Sequence, residues 1–300
     1  MLPTEMLDSF KDHLHAGNNF WSGGQIWRRL FDSQQAIIRY IAKEDPTFWV
    51  RTYDISLVAD QATYDLPLNA RLGTKVIFAE NRDNPIGAEV PWSQLDEYPN
   101  FASPGIVNLV PGKRFSLEGS KVRVLPTPST TSANAIRVWY TPSFGNMIQG
   151  TASAGGSSSL TPFTGDPNYT LNFGWKDVRD DYYNGMEILI TGGTGVGQQN
   201  KISDYTGSSS VLTVENAWSV TPDDTSKFAI LCPVPEDFHH VVSTHAAMTA
   251  SIKGQKRYTE LRQQFFGSPG MTGELFEMLG WIHSRQYASQ QTVKPLDIGY

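Results

Sequence analysis

The sequence predicts an α+β fold: a discontinuous helical bundle from the two ends of the chain, an antiparallel β region between them, and a second, smaller inserted β domain. Three observations carry that expectation. Apolar residues recur at helical spacing before Pro46 and again after Pro233. Between those points the period is two, in short runs separated by Gly, Pro, Asn or Asp clusters. Residues 143–162 follow neither period. Short amphipathic helices at opposite ends of a chain cannot each bury an apolar face alone, so packing them into one bundle is the economical arrangement.

The elements follow in order. After Pro3, residues Met6, Leu7, Phe10 and Leu14 make a short helical stripe with Thr4 as N-cap, ending at Gly17. From Gly24 to Lys43, residues Trp27, Leu30, Phe31, Ile37, Ile38 and Ile41 form one stripe, with Arg28, Arg29, Asp32 and Arg39 off it, and Pro46 stops the helix. Over 47–142 the runs WVRTYDISLV, TYDLP, TKVIFA, GIVNLV, RFSLEG, KVRVLP and AIRVWY alternate as antiparallel strands do. Residues 143–162 read as a flexible linker. MEILIT, QNKISDY, SVLTVENAW and KFAILC then form a β unit over 163–232.

Helical spacing returns at Pro235, whose fixed φ suits a helix start, with Glu236 and Asp237 in the turn where the helix dipole favours acids. Phe238, Val241, Val242, His245, Met248, Thr249 and Ile252 continue it to Gly254. A polar helix follows, QKRYTELRQQFF, and a third stripe uses Leu275, Met278, Leu279 and Ile282. The bundle is therefore expected from 1–46 and 233–283. Residues 284–300 carry too little apolar content for a core and read as an extended tail.

Composition narrows the function classes. The 300 residues include one cysteine, so no intramolecular disulfide forms and a reducing compartment is permitted. No stretch approaches the roughly 20 apolar residues that cross a bilayer, and MLPTEMLDSFKDHLH lacks the basic lead and apolar block of a signal peptide, so a soluble, unexported chain is expected. The net charge is −6. Its source is residues 150–231, with nine acids against four bases, while 51–149 hold nine of each and 232–300 six of each. Without a Lys/Arg surplus in any segment, tight binding to DNA phosphates is disfavoured, although DNA can still pass by.

The motifs that suggest chemistry fall short of it. ILITGGTGVGQQNKIS, residues 188–203, has the glycine spacing of a phosphate loop from Gly192 to Gly197, yet places Gln198 and Gln199 where Lys and Ser/Thr are needed. Strand-like NKISDY follows instead of a helix, which favours a hairpin connection. Glu236, His239 and His240 resemble half of a di-iron carboxylate site, but no second ExxH exists. His245 reads as a packing residue, Asp177, Asp180 and Asp181 as a solvated acidic turn, and Cys232 as a buried strand end. The expectation is a non-enzyme with no metal and no cofactor. Aromatics at strand ends and in loops, among them Trp92, Tyr98, Phe101, Trp175, Tyr182, Tyr183 and Trp218, suggest surface contacts. In the acidic insert, Trp175, Tyr183 and Trp218 raise an alternative function, carbohydrate or receptor binding through the β insert.

Several segments together resemble the head-to-tail adaptor (connector, head completion) proteins of tailed bacteriophages, including the tail tubular protein A group. They are IWRRLFDSQQAIIRYIAKEDPTFW running into RTYDISLVADQATYDLP, and VPEDFHHVVSTHAAMTASIKGQ followed by RQQFFGSPG. GWKDV, YYNGMEILITGG, GQQNKISDYTG, LTVENAW and PDDTSKFAIL are similar to a small β module that recurs in phage virion proteins. The resemblance implies a homo-oligomeric ring, usually a dodecamer matching the portal. It would sit in the virion neck beneath the portal protein, continue the DNA channel, and carry the tail or nozzle protein. Assembly would take place in the host cytoplasm, without a membrane and without tight binding of the passing double-stranded DNA. The bundle face implied for the ring comprises Trp27, Leu30, Phe31, Ile38, Phe238, Val242 and Met248. Docking on a neighbour or the portal is implied for Tyr287, Val293, Leu296, Ile298 and Tyr300 in the tail.

Overall fold

The computed structural model describes residues 1–14, 23–45, 48–66, 76–81, 86–89, 113–125, 127–163, 178–251 and 256–290. The fold is mixed α+β and the chain divides into two compact units, one formed by residues 1–45 and 144–300, the other by residues 46–143.

In the first unit, α1 (Pro3–Leu14) and α2 (Gly23–Glu44) come from the start of the chain. Helices α3 (His239–Ala250), α4 (Lys256–Phe266) and α5 (Glu274–Gln290) come from its end. A turn of 3-10 helix, Glu236–Phe238, leads into α3. Helix α3 packs against α1, α2 and α4, and α5 packs against α2 and α4. Its sequence explains its place at the centre. HHVVSTHAAMTA has no strongly polar face, and Val241, Val242, Ser243, Thr244, Ala246, Ala247 and Met248 are all buried. The small residues among them let neighbouring helices approach closely. Met6 and Phe10 of α1, with Ile26, Leu30, Ile37 and Ile41 of α2, bury the stripes read from sequence. Thr4 is not the cap of α1. It lies inside the first turn, where its hydroxyl donates to Gln149 Oε1 at 3.0 Å, while Glu5 Oε2 reaches back to accept from Leu2 N at 2.7 Å.

The same unit contains a closed barrel of six antiparallel strands in the order β10-β11-β12-β9-β8-β13. These are β8 (Ile148–Gly156), β9 (Ser159–Pro162), β10 (Glu187–Gly192), β11 (Gln199–Thr206), β12 (Val211–Val214) and β13 (Lys227–Ile230). The expected linker over 143–162 is thus corrected: most of it is two barrel strands, and the β unit expected over 163–232 begins at Ile148. Along β8, Ile148, Gly150 and Ala152 turn inward while Gln149 and Thr151 are half-buried. The alternation is present but carried by small residues, which a narrow barrel interior requires. A side chain at Gly155 would strike the Pro222 carbonyl.

The second unit has a three-stranded sheet, β1-β7-β3, and a four-stranded one, β2-β6-β5-β4. The strands are β1 (Arg51–Leu57), β2 (Thr63–Asp65), β3 (Val76–Asn81), β4 (Ile86–Glu89), β5 (Lys113–Glu118), β6 (Lys121–Leu125) and β7 (Ser132–Tyr140). Ile55, Leu57, Tyr64, Leu66, Val122, Val124, Ile136 and Val138 form its core. One pairing departs from the antiparallel expectation, since β4 and β5 run parallel. The chain between Glu89 and Lys113 exceeds the dozen or so residues that a parallel crossover needs. GIVNLV lies outside the described residues.

After α4, a two-residue pairing of β14 (Gly267–Ser268) with β15 (Met271–Thr272) makes a short hairpin. The tail expected from residue 284 is corrected as far as Gln290, which is still in α5. Residues 291–300 lie outside the described residues.

Candidate functional site

Helices from opposite ends of the chain meet around α3, and their contacts are polar as well as apolar. The Met1 ammonium lies 3.0 Å from Glu236 Oε1, and this hydrogen bond holds the Glu236 carboxyl below the usual carboxylate range. His239 is buried between two carbonyls, with Nδ1 3.2 Å from Met1 O and Nε2 2.8 Å from Val234 O. Burial lowers its pKa. Glu236 and His239 therefore hold chain segments together. Among the described residues no cluster of three or more His, Cys, Asp or Glu is placed to hold a metal ion.

Deeper in the interface, Ser243 Oγ donates to Met6 O at 3.0 Å, and the Arg257 guanidinium donates through Nε to His13 O. His245 lies 2.9 Å through Nδ1 from Ser33 Oγ and packs its ring 5.0 Å from that of Phe265. Desolvation, reinforced by Arg39, pulls its pKa down to about 4. The packing role read for His245 is what these contacts describe. Sequence reading missed Gln34, which is fully buried on α2. Its Nε2 donates to Gly145 O at 2.7 Å, and its Oε1 accepts from Met147 N at 3.1 Å. Gln35 adds a bond to Phe144 O at 3.0 Å. A side-chain amide used like a strand neighbour fastens the approach to β8 onto α2. The signal was the pair of glutamines inside an otherwise apolar stripe.

Of the residues implied for the ring face, Trp27, Leu30, Ile38, Val242 and Met248 are buried within the chain itself; Phe31 and Phe238 are half-buried, Phe31 stacked on Trp27 and Phe238 tilted against Trp281. These residues hold the helices to one another. Among the described residues, the large apolar side chains exposed on this part of the molecule are Tyr40, Met271 and Phe276. Tyr287 lies in α5, and Val293, Leu296, Ile298 and Tyr300 are outside the described residues.

The glycine stretch joins β10 to β11, which pair antiparallel, so it is a hairpin connection. Gly193, Gly195 and Gly197 take positive φ. Four of its backbone N–H groups already have acceptors. Val196 N bonds Gly193 O, Gly197 N bonds Ile190 O, Gln198 N bonds Gly195 O, and Thr194 N bonds Thr225 Oγ1. Thr194 Oγ1 donates to Asp223 Oδ2 at 2.7 Å, and together with bonds from Thr225 this lowers the Asp223 pKa. A loop with four of its donors spent and residues 223–226 fastened across it is not arranged to surround a phosphate.

The remaining candidates are structural. Asp180 Oδ1 accepts from Gly207 N, and Asp181, at φ 64, accepts from Asn184 Nδ2. Desolvation raises the Asp181 pKa. Asp177 and Trp175 lie outside the described residues, as do Trp92, Tyr98 and Phe101. Cys232 is fully buried, which pushes its thiol up to about 12. Two of the expected surface aromatics are corrected: Tyr183 is 2% exposed and Trp218 6%. Tyr183 sits edge-on between Tyr182 and Tyr205, and Trp218 N bonds Ser157 O, closing residues 215–220 over the barrel.

The chain matches no protein-family model and no curated protein sequence. The resemblance to phage adaptors therefore stands on the quoted segments alone.

Proposed function

We propose that this chain is a non-enzymatic structural subunit, a head-to-tail adaptor of a tailed phage that assembles as a ring beneath the portal. In this reading the five helices act as one discontinuous bundle forming the ring body, and the six-stranded barrel decorates it. The ring continues the DNA channel and offers a platform to the tail.

The observation that carries the reading is the packing of α1 and α2, from the start of the chain, against α3, from its end. Polar groups at that junction are engaged in holding segments together, as in Gln34, His239 and Ser243. Among the described residues, Tyr40, Met271 and Phe276 are exposed apolar groups that could lie at seams between copies. Even charge outside the barrel region suits a conduit that must release DNA.

Native mass spectrometry and light scattering of the purified chain, alone and mixed with the portal protein of the same genome, test the proposal. A ring of about twelve copies is expected in at least the mixed sample. A chain that remains monomeric in both settings refutes it.

A further inference from the structure

The outer face of the barrel carries an open groove of about 460 Å³ between the β10–β11 pair and the segment 215–219. It lies within the size range of small-molecule sites, roughly 300–1,000 Å³. Its frame is rigid. Gln198 Nε2 donates to Gly195 O and Val220 O, and its Oε1 accepts from Ser219 Oγ at 2.7 Å and Val220 N at 3.0 Å. Asn200 Nδ2 donates to Asn216 O at 2.6 Å, while its Oδ1 accepts from the N–H groups of Lys201 and Asn216. These two amides fix the far wall to β11 before any ligand arrives.

Other lining groups keep hydrogen-bonding capacity. Glu187, Gln199, Lys201 and Asn216 are exposed. Gln199 spends its Nε2 on Glu187 Oε2 at 2.6 Å, which leaves its carbonyl oxygen and the other Glu187 oxygen facing outward partners. Asn216 uses only its backbone in the bonds described above. Trp218, 6% exposed, also lines the groove.

We propose that this groove is a saccharide-binding site. The chemistry selects the class. Among the described residues, Ala217 and Trp218 are the only apolar ones that line it, too few for a hydrophobic ligand. The one cation among the described lining residues, Lys201, is held 3.6 Å from Glu215, and Glu187 stands opposite, so an anion meets two carboxylates. A neutral polyhydroxyl ligand needs both acceptors and donors at close spacing, and the carboxylate, the two amides and the ammonium supply them.

The test uses the full chain against an array of oligomers of glucose, galactose, mannose, rhamnose and N-acetylhexosamines, with affinities of the hits measured by calorimetry. Gln199→Ala combined with Asn216→Ala removes two exposed amides and should weaken binding about tenfold or more at an unchanged thermal midpoint. Ala217→Trp fills the groove and should abolish binding. No glycan bound by the parent chain, or binding retained at parent affinity in either variant, overturns the proposal. The mass of the assembly is read separately, so failure here leaves the adaptor reading standing.

Discussion

Acidification should weaken the helical junction through one identifiable ring. His245 is neutral in the folded chain because its surroundings on every side oppose a charge: Phe265 of α4 covers its ring, Ser33 of α2 holds Nδ1, and Arg39 of α2 repels a proton. Its folded pKa of about 4 lies below the ordinary 6.5. The stabilisation from keeping it neutral is complete above the unfolded value. It is lost progressively as pH falls from 6.5 towards 4, because the unfolded chain takes up the proton first. At about 1.4 kcal/mol per pH unit of displacement, the loss comes to about 3 kcal/mol. That is a large fraction of the 5–15 kcal/mol that typically holds a domain together. Burial also depresses His13 and His239, so the pH dependence of the parent chain alone does not isolate His245. Urea denaturation of the parent and of His245→Gln, from about pH 7 to about pH 4 at fixed ionic strength, does. The parent's advantage, or its smaller deficit, should shift by about 3 kcal/mol against the variant across that range. A difference between the two chains that stays constant with pH refutes the assignment.

Three further outcomes follow from the geometry. Gly193→Ala should destabilise by ~3 kcal/mol, since a Cβ there meets the Thr225 carbonyl at φ 73, while Gly197→Ala, at φ 86 in open space, should cost only the ~1 kcal/mol of left-handed backbone; thermal unfolding of the two variants distinguishes them. Gln34→Leu leaves Gly145 O and Met147 N without their buried partner and should cost about 3 kcal/mol by urea titration, more than Gln35→Ala, which loses one part-buried bond. The Cys232 thiol, buried and pushed up to about 12, should resist alkylation near neutral pH until urea exposes it, as mass spectrometry would record.

The helices were legible because amphipathic spacing survives in a single sequence: Met6 and Phe10, then Leu30, Ile37, Ile38 and Ile41, and Leu275, Met278 and Ile282 are all buried. The barrel was half legible. Its β-branched strands β10 to β13 announce themselves, whereas β8 hides because its inward positions are Gly150 and Ala152, sizes that a hydrophobicity pattern does not register. Tyr183 and Trp218 looked like surface residues because polar turn residues flank them, but their burial comes from segments distant in sequence, Tyr205 and Ser157. The groove had a visible signal in the consecutive amides Gln198, Gln199 and Asn200. In sequence that run says only that a phosphate loop lacks its lysine, because the 215–219 wall that gives it meaning is set by tertiary hydrogen bonds.

The first and last strands of the barrel in chain order, β8 and β13, pair with each other in register from Ile148 opposite Ile230. The polypeptide therefore arrives and departs at neighbouring points, about one strand spacing of 4.8 Å apart. A gene could lose this cassette, or trade it for another, by joining the two sides with a residue or two and leaving the path of the helices undisturbed. What such an exchange has to preserve is the short run 144–147 gripped by Gln34 and Gln35, so recombination points are expected to fall just after it.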